Sequence, residues 1–180
     1  MARDSYNIEH VNFLLVEDNA HMRTIVRSIL AALGARSVRE AADVETAYKD
    51  LALYPIDIVI CDWQMEPVDG LEFVRTLRNA KDSPNALIPI IMLSAHSEMN
   101  RVTEARDCGV NEFVVKPVSA KSLYARIKEI IKNPRAFVQT ETYFGPDRRR
   151  HQVKRESAER RKAAPTADVG NQEIKALLNG

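Results

Sequence analysis

The 180-residue sequence is poor in cysteine and has no long hydrophobic run. Its two cysteines, Cys61 and Cys108, lack the spacing of a metal-binding pair, so we interpret both as reduced thiols without a zinc or redox role. The longest apolar runs span about six or seven residues, whereas a membrane-spanning helix needs about 20. The first ten residues also lack the apolar core of a signal peptide. These absences predict a cytoplasmic protein without a membrane span.

The net charge of +1 is unevenly distributed along the chain. Residues 145–163 contain eight lysines and arginines against three acidic residues and carry +5, which leaves −4 for the rest of the chain. The hydrophobic content of 45% is enough to build one core. The chain therefore divides into a slightly acidic body and a basic tail, and we expect different partners for each.

Five apolar, β-type runs alternate with five segments of helical spacing in the acidic body. The predicted strands cover residues 13–16, 38–41, 56–61, 88–93 and 113–115. The predicted helices cover residues 21–33, 44–54, 71–79, 98–108 and 119–131, with Asp43 and Ser119 as candidate N-caps. This alternation predicts an α/β, doubly wound, flavodoxin-like parallel sheet of order 2-1-3-4-5. In such a sheet, ligands bind at the carboxyl ends of strands 1 and 3.

Four of the five predicted strands end in a chemically active group. These groups are Glu17 and Asp18 after the first strand, Asp62 after the third, Ser94 after the fourth and Lys116 after the fifth. Because parallel strands end at one edge, we expect these side chains to converge. Clustered carboxylates repel one another unless a cation neutralises them, and Mg²⁺ accepts oxygen ligands while also binding phosphate. The pattern indicates a magnesium site at which an aspartate accepts a phosphoryl group.

Residues from about 10 to 133 resemble the receiver domain of two-component response regulators, especially the stand-alone, CheY-like kind. The resemblance implies that Asp62 is the phosphoacceptor and that a histidine kinase or phosphotransfer protein supplies the phosphoryl group. It further implies a downstream protein target on the face formed by the fourth helix, fifth strand and fifth helix. The implied roles are Mg²⁺ binding by Glu17, Asp18, Asp62 and the backbone carbonyl of Gln64, phosphoryl binding by Ser94 and Lys116, an aromatic switch at Phe113, and a cis peptide bond before Pro117.

The loop after Asp62 departs from the pattern of this family. The family commonly has Asp-x-x-Met-Pro, whereas Glu66 here separates Met65 from Pro67. We expect this difference to affect partner choice more than phosphorylation. Phosphatases of the haloacid dehalogenase type share the chemistry, but they carry a second acid at the position of Gln64, so an enzyme acting on outside substrates is disfavoured. Gln64 and His96 flank the expected route of the hydrolytic water.

The sequence predicts three segments: an N-terminal extension over residues 1–9, a receiver over residues 10–133, and a tail over residues 134–180. The tail is basic, and we expect it to be mostly disordered and to end in a short amphipathic helix. The tail is too short and too polar for a DNA-binding domain. Its segment "YFGPDRRR" resembles the arginine-rich tails of CheY-like proteins that bind cyclic di-GMP. The alternative function is therefore a nucleotide-sensing adaptor that binds cyclic di-GMP, with a relation to the flagellar motor as one option. A solvated basic tail is the simpler interpretation. The ligand candidates would be Tyr143, Arg148, Arg149 and Arg150.

The last ten residues contain an amphipathic pattern formed by Ile174, Leu177 and Leu178. The pattern predicts a short helix that forms when a groove is available. It resembles the N-terminal peptide of the flagellar switch protein, which docks on phosphorylated CheY, although Lys175 stands where that peptide has an aspartate. Our hypothesis is that this segment competes with partners for the receiver surface.

Overall fold

A computed structural model of the chain describes residues 6–80, 84–95, 99–140 and 143–148. The main sheet contains β1 (Asn12–Val16), β2 (Ser37–Ala41), β3 (Ile58–Asp62), β4 (Ile90–Ser94) and β5 (Glu112–Val115). The α-helices are α1 (Ala20–Ala32), α2 (Val44–Leu53), α3 (Gly70–Asn79), α4 (Met99–Asp107) and α5 (Ala120–Lys132), and a 3-10 turn covers Pro84–Leu87. All neighbouring strands of this sheet are parallel, and their order is β2-β1-β3-β4-β5. The predicted fold class and strand order are confirmed.

Two apolar layers cover the faces of the sheet. Alternate residues of β1, β3 and β4 point to opposite faces, so these central strands are apolar at nearly every position. Helices α1 and α5 contribute to the layer that contains Phe13 and Ile60, whereas α2, α3 and α4 contribute to the layer that contains Leu14 and Cys61. The sheet is therefore held between two helical layers, and its functional groups must lie at its edges.

The element boundaries agree with the predicted ones to within two residues at most ends. Asp43 accepts from the backbone N–H of Thr46 (2.7 Å) and Ser119 from that of Ser122 (3.1 Å), so both predicted N-caps are confirmed. The third and fourth strands begin two residues later than predicted. Ile56 and Ile88 precede the strands but still pack in the hydrophobic core. An apolar run in the sequence does not distinguish such a core residue from one whose backbone pairs with a neighbouring strand.

Packing contacts of the receiver continue on both sides of residues 10–133 within the described part of the chain. At the N-terminal end, Ile8 is buried, and the backbone N–H of Tyr6 donates to the hydroxyl of Tyr124 at 2.9 Å. After α5, strands β6 (Phe137–Gln139) and β7 (Phe144–Pro146) pair antiparallel as a C-terminal hairpin. These strands are an exception to the disorder expected for residues 134–180.

The C-terminal hairpin is anchored to the amino-terminal edge of the main sheet. Arg135, just before β6, pairs with buried Glu112 at 2.8 Å. Tyr143 is buried and donates from its hydroxyl to the carbonyl oxygen of Pro146 at 2.8 Å. A Cβ atom on Gly145 would lie 2.9 Å from the Cα atom of Gly109, so glycine is needed where the hairpin meets the loop before β5.

Arg78, near the end of α3, is a buried cation beneath the hairpin. Its side chain is 2% exposed, and the ring of Phe137 lies 5.0 Å from its guanidinium carbon. Burial lowers the pKa of Arg78 to about 9, so the group remains charged at neutral pH. Its hydrogen bonds go to neutral oxygens, namely the carbonyls of Gly109 (3.1 Å), Ala86 (2.6 Å) and Ile88 (2.8 Å) and the side chain of Asn111 (3.2 Å).

None of the helices in the described residues combines the length and the apolar character that a membrane crossing requires.

We expect Arg78→Met to lower the free energy of unfolding by at least about 3 kcal/mol, because it leaves several buried oxygens without a donor. The measurement is urea unfolding followed by circular dichroism. Arg75→Met on the same helix is the matched control, since Arg75 is exposed and its 3.7 Å pair with Glu104 should be worth less than about 1 kcal/mol. Equal losses in the two variants would contradict the structural role of Arg78.

Candidate functional site

Three carboxylates meet at the carboxyl edge of the main sheet. Glu17 and Asp18 directly follow β1, and Asp62 is the last residue of β3, which pairs with β1. One oxygen of each carboxylate lies within 4.8 Å of the others. Glu17 and Asp62 are buried, whereas Asp18 is exposed. The sequence-predicted acids are therefore brought together in a cluster that is open to solvent on one side.

Lys116 lies between the two buried acids. Its Nζ atom is 2.9 Å from Oδ1 of Asp62 and 3.0 Å from Oε2 of Glu17. Burial raises the pKa of Glu17, and the negative charge of Asp62 adds to this rise, while Lys116 opposes it. Burial lowers the pKa of Lys116, but its hydrogen bonds to Asp62 and Glu17 outweigh that effect and leave the pKa raised. The ammonium group thus stays charged between two oxygens.

The loop after β3 is tied to the cluster through its backbone. The N–H of Trp63 donates to Oδ1 of Asp62 at 2.8 Å, and the carbonyl of Trp63 accepts from the N–H of Gly70 at 2.8 Å. The N–H of Glu66, the residue that departs from the family pattern, donates to Oδ2 of Asp18 at 3.3 Å. The Glu66–Pro67 peptide bond is cis. The unusual residue therefore contributes its backbone to an acid of the cluster, while its side chain is exposed.

Ser94 and Phe113 occupy the neighbouring strands. Ser94 is fully buried at the end of β4, and its carbonyl accepts from the N–H of Lys116 at 2.7 Å, which places β4 beside the lysine. Phe113 is half-buried and meets Trp63 edge to face, with ring centroids 6.3 Å apart. The Lys116–Pro117 bond is cis, as the family resemblance implied.

The two tail candidates among the described residues, Tyr143 and Arg148, do not join this cluster. Tyr143 is buried in the C-terminal hairpin at the opposite edge of the sheet, where sequence reasoning missed its packing role. Arg148 stacks on the Tyr143 ring at 3.9 Å and pairs with Asp107 at 3.3 Å. The candidates Arg149, Arg150, Ile174, Leu177 and Leu178, and the water-route residue His96, lie outside the described residues.

The donor set of the acidic cluster fits Mg²⁺. Carboxylates are the hard oxygen ligands that this ion prefers, and the exposure of Asp18 leaves room for the waters that Mg²⁺ usually retains. The backbone of Gln64, two residues beyond Asp62, is near enough in the chain to add a carbonyl oxygen, and its side chain is exposed. Softer transition metals prefer sulfur or imidazole ligands, whereas the three side chains of this cluster are all carboxylates.

A comparison with protein families shows which family this chain belongs to. The family model described as "Response regulator receiver domain" matches residues 13–128, which include the main sheet except Asn12, the first residue of β1. The chain is a member of the response regulator receiver family. As a receiver of this family it is a two-component signalling protein, and its acidic cluster stands where receivers bind Mg²⁺.

Individual relatives of this receiver are chemotaxis proteins. It is 30% identical over 124 residues to the chemotaxis protein CheY-3 of Vibrio cholerae, covering 69% of this chain and 94% of that protein. It is 32% identical over 122 residues to the chemotaxis protein CheY of Pseudomonas aeruginosa, covering 68% of this chain and 97% of that protein. The solved chemotaxis response regulator CheY4 of Vibrio cholerae superimposes with a TM-score of 0.61 at 27% identity, covering 67% of this chain and 98% of that one.

Gly70→Ala should weaken Mg²⁺ binding strongly, because a Cβ atom on Gly70 would overlap the backbone carbonyl oxygen of Asp62 and displace the end of β3. Trp63 lies next to Asp62, so its fluorescence during a MgCl₂ titration is a direct measurement. Glu72→Ala changes an exposed residue in the same helical turn and should leave the titration unchanged. Wild-type Mg²⁺ affinity in folded Gly70→Ala protein would contradict the close approach.

Proposed function

We propose that the protein is a stand-alone receiver of a phosphorelay, in which Asp62 accepts a phosphoryl group from a histidine kinase or phosphotransfer protein. The observation that carries the proposal is the position of the Lys116 Nζ atom within 3.0 Å of both Asp62 and Glu17. A buried acid at the end of β3, beside a second acid and a fixed ammonium, provides both a nucleophile and a partner for phosphoryl oxygens.

The transfer step requires an oxygen of Asp62 to attack the phosphorus atom of a phosphohistidine. The P–N bond breaks as the new P–O bond forms, and the leaving imidazole takes its proton from solvent. Glu17, Asp18, Asp62 and the carbonyl of Gln64 would hold Mg²⁺, which neutralises phosphoryl oxygens when bound. Lys116 exchanges part of its pairing with Asp62 for a phosphoryl oxygen, and the hydroxyl of Ser94 donates to another. Attack of water on phosphorus later releases inorganic phosphate and restores the Asp62 carboxylate.

The output of the receiver is a change in protein binding. When Ser94 and Lys116 turn to the phosphoryl group, β4 and the end of β5 adjust. Phe113 lies on β5, three residues before Lys116, and its contact with Trp63 changes with that adjustment, so Phe113 acts as the aromatic switch. We propose that this biases the face of α4, β5 and α5 between two preformed states and so sets affinity for a downstream protein. Val115, 40% exposed on β5, offers an apolar contact on that face.

The two other functions weighed from the sequence gain no support from the described residues. Tyr143 is buried and Arg148 is paired with Asp107, so neither is presented for stacking on a nucleotide base. A phosphatase acting on outside substrates needs a second acid two residues after Asp62, and that position holds Gln64. The cytoplasmic location stays a prediction from the sequence.

We expect the wild-type protein to gain one phosphoryl group when it is incubated with MgCl₂ and phosphoramidate, a small donor with the same P–N bond as phosphohistidine. Asp62→Asn should gain none, because an amide does not attack phosphorus. Intact-protein mass spectrometry measures both results, and hydroxylamine should reverse the modification. Asp107→Asn, at the opposite edge of the sheet, is the control and should be modified normally. Modification of Asp62→Asn at the wild-type level would rule out the assignment.

A further inference from the structure

Arg23 connects α1 to the loop that carries two of the acids. Its side chain is 18% exposed, and its Nη1 atom donates to the backbone carbonyl oxygens of Glu17 (2.7 Å) and Asp18 (2.9 Å). One guanidinium nitrogen therefore fixes two consecutive peptide groups. These peptide groups belong to two of the three residues in the acidic cluster.

The loop between β1 and α1 has other backbone contacts on either side of these carbonyls. The N–H of Glu17 donates to the carbonyl of Ala41 at 3.1 Å, which continues the ladder with β2. The side chain of Asn19 caps α1 by accepting from the N–H groups of His21 and Met22. The strand and the helix are thus fixed by their own hydrogen bonds, and Arg23 fixes the carbonyls at the turn between them.

Glu40 on β2 holds Arg23 and a second arginine of the same helix. The Nε atom of Arg23 is 3.9 Å from one carboxylate oxygen of Glu40, and that of Arg27 is 3.4 Å from the other. Arg27 is 60% exposed, and its ion pair is directed to Glu40. Both arginines lie on α1, carry the same charge and pair with Glu40. Arg23 differs because it also donates hydrogen bonds to the loop between β1 and α1.

We propose that Arg23 is a positioning residue for the metal site: it orients Glu17 and Asp18 by holding their backbone carbonyls. This inference rests on the proposed function, in which the cluster binds Mg²⁺. Mg²⁺ demands a nearly ideal octahedral arrangement, so small displacements of its ligands reduce affinity. Groups that orient ligands without touching the metal typically change metal affinity by about 10- to 100-fold when they are removed.

The sign of the effect separates positioning from simple electrostatics. Removing a positive charge beside a carboxylate cluster lowers the repulsion felt by an incoming cation, so an electrostatic role predicts tighter Mg²⁺ binding in Arg23→Gln. Loss of positioning predicts weaker binding instead. The two explanations therefore give opposite results in a single titration.

The test is a MgCl₂ titration of the full-length protein, followed by Trp63 fluorescence. We expect Arg23→Gln to bind Mg²⁺ about tenfold more weakly than wild type. Arg27→Gln is the matched control, because it removes the same charge from the same helix, and its affinity should stay within about twofold of wild type. Arg23→Lys keeps the charge but lacks the planar guanidinium, so it should lose part of the affinity.

Thermal unfolding without Mg²⁺ serves as the second readout. A lower unfolding temperature of Arg23→Gln with unchanged Mg²⁺ affinity would show a merely structural role and overturn the inference, as would tighter binding. If Arg23→Gln does not fold, Arg23→Lys decides: wild-type affinity in that variant overturns the inference. A wild-type protein that shows no Mg²⁺ response would instead contradict the proposed function of the whole site.

Discussion

The geometry of the acidic cluster depends on one ammonium group held between two buried carboxylates. Asp62 and Glu17 are 3% and 1% exposed, so the two carboxylates repel each other with little solvent between them, and the ammonium group of Lys116 opposes that repulsion. Lys116 reaches both because β5 lies beside β4 and its N–H bonds the carbonyl of Ser94. Strand order therefore determines which cation faces the acids, since a different neighbour for β4 would leave Glu17 and Asp62 without the ammonium group of Lys116.

The sequence predicted this edge well because parallel topology and local pattern agreed. The apolar runs of β1, β3 and β4 are nearly continuous, and each is followed at once by a polar group, so the position of Asp62 followed from the topology alone. The N-caps at Asp43 and Ser119 were equally local signals. The early starts assigned to the third and fourth strands show the limit of this reasoning, because the burial of Ile56 does not reveal whether its backbone joins a ladder.

The C-terminal hairpin could not be predicted from its local amino-acid sequence. Tyr143, Gly145 and Pro146 lie in a polar segment, where Gly-Pro normally indicates a turn. Their burial depends on a surface assembled from distant parts of the chain, including Gly109 before β5. The contact of Arg23 with the carbonyls of Glu17 and Asp18 was missed for a related reason, since an arginine on an amphipathic helix ordinarily indicates a solvated face.

The family match ends at residue 128, but the packing contacts of the receiver extend further along the chain. Cutting the protein at the end of the match would separate Arg135 from Glu112 and remove Phe137 from above the guanidinium of Arg78. A charged group held in the dry interior would then meet water at the base of the sheet. The family match and the packing contacts thus end at different places: the match ends at residue 128, whereas contacts with the sheet and its helices continue through the C-terminal hairpin to Arg148.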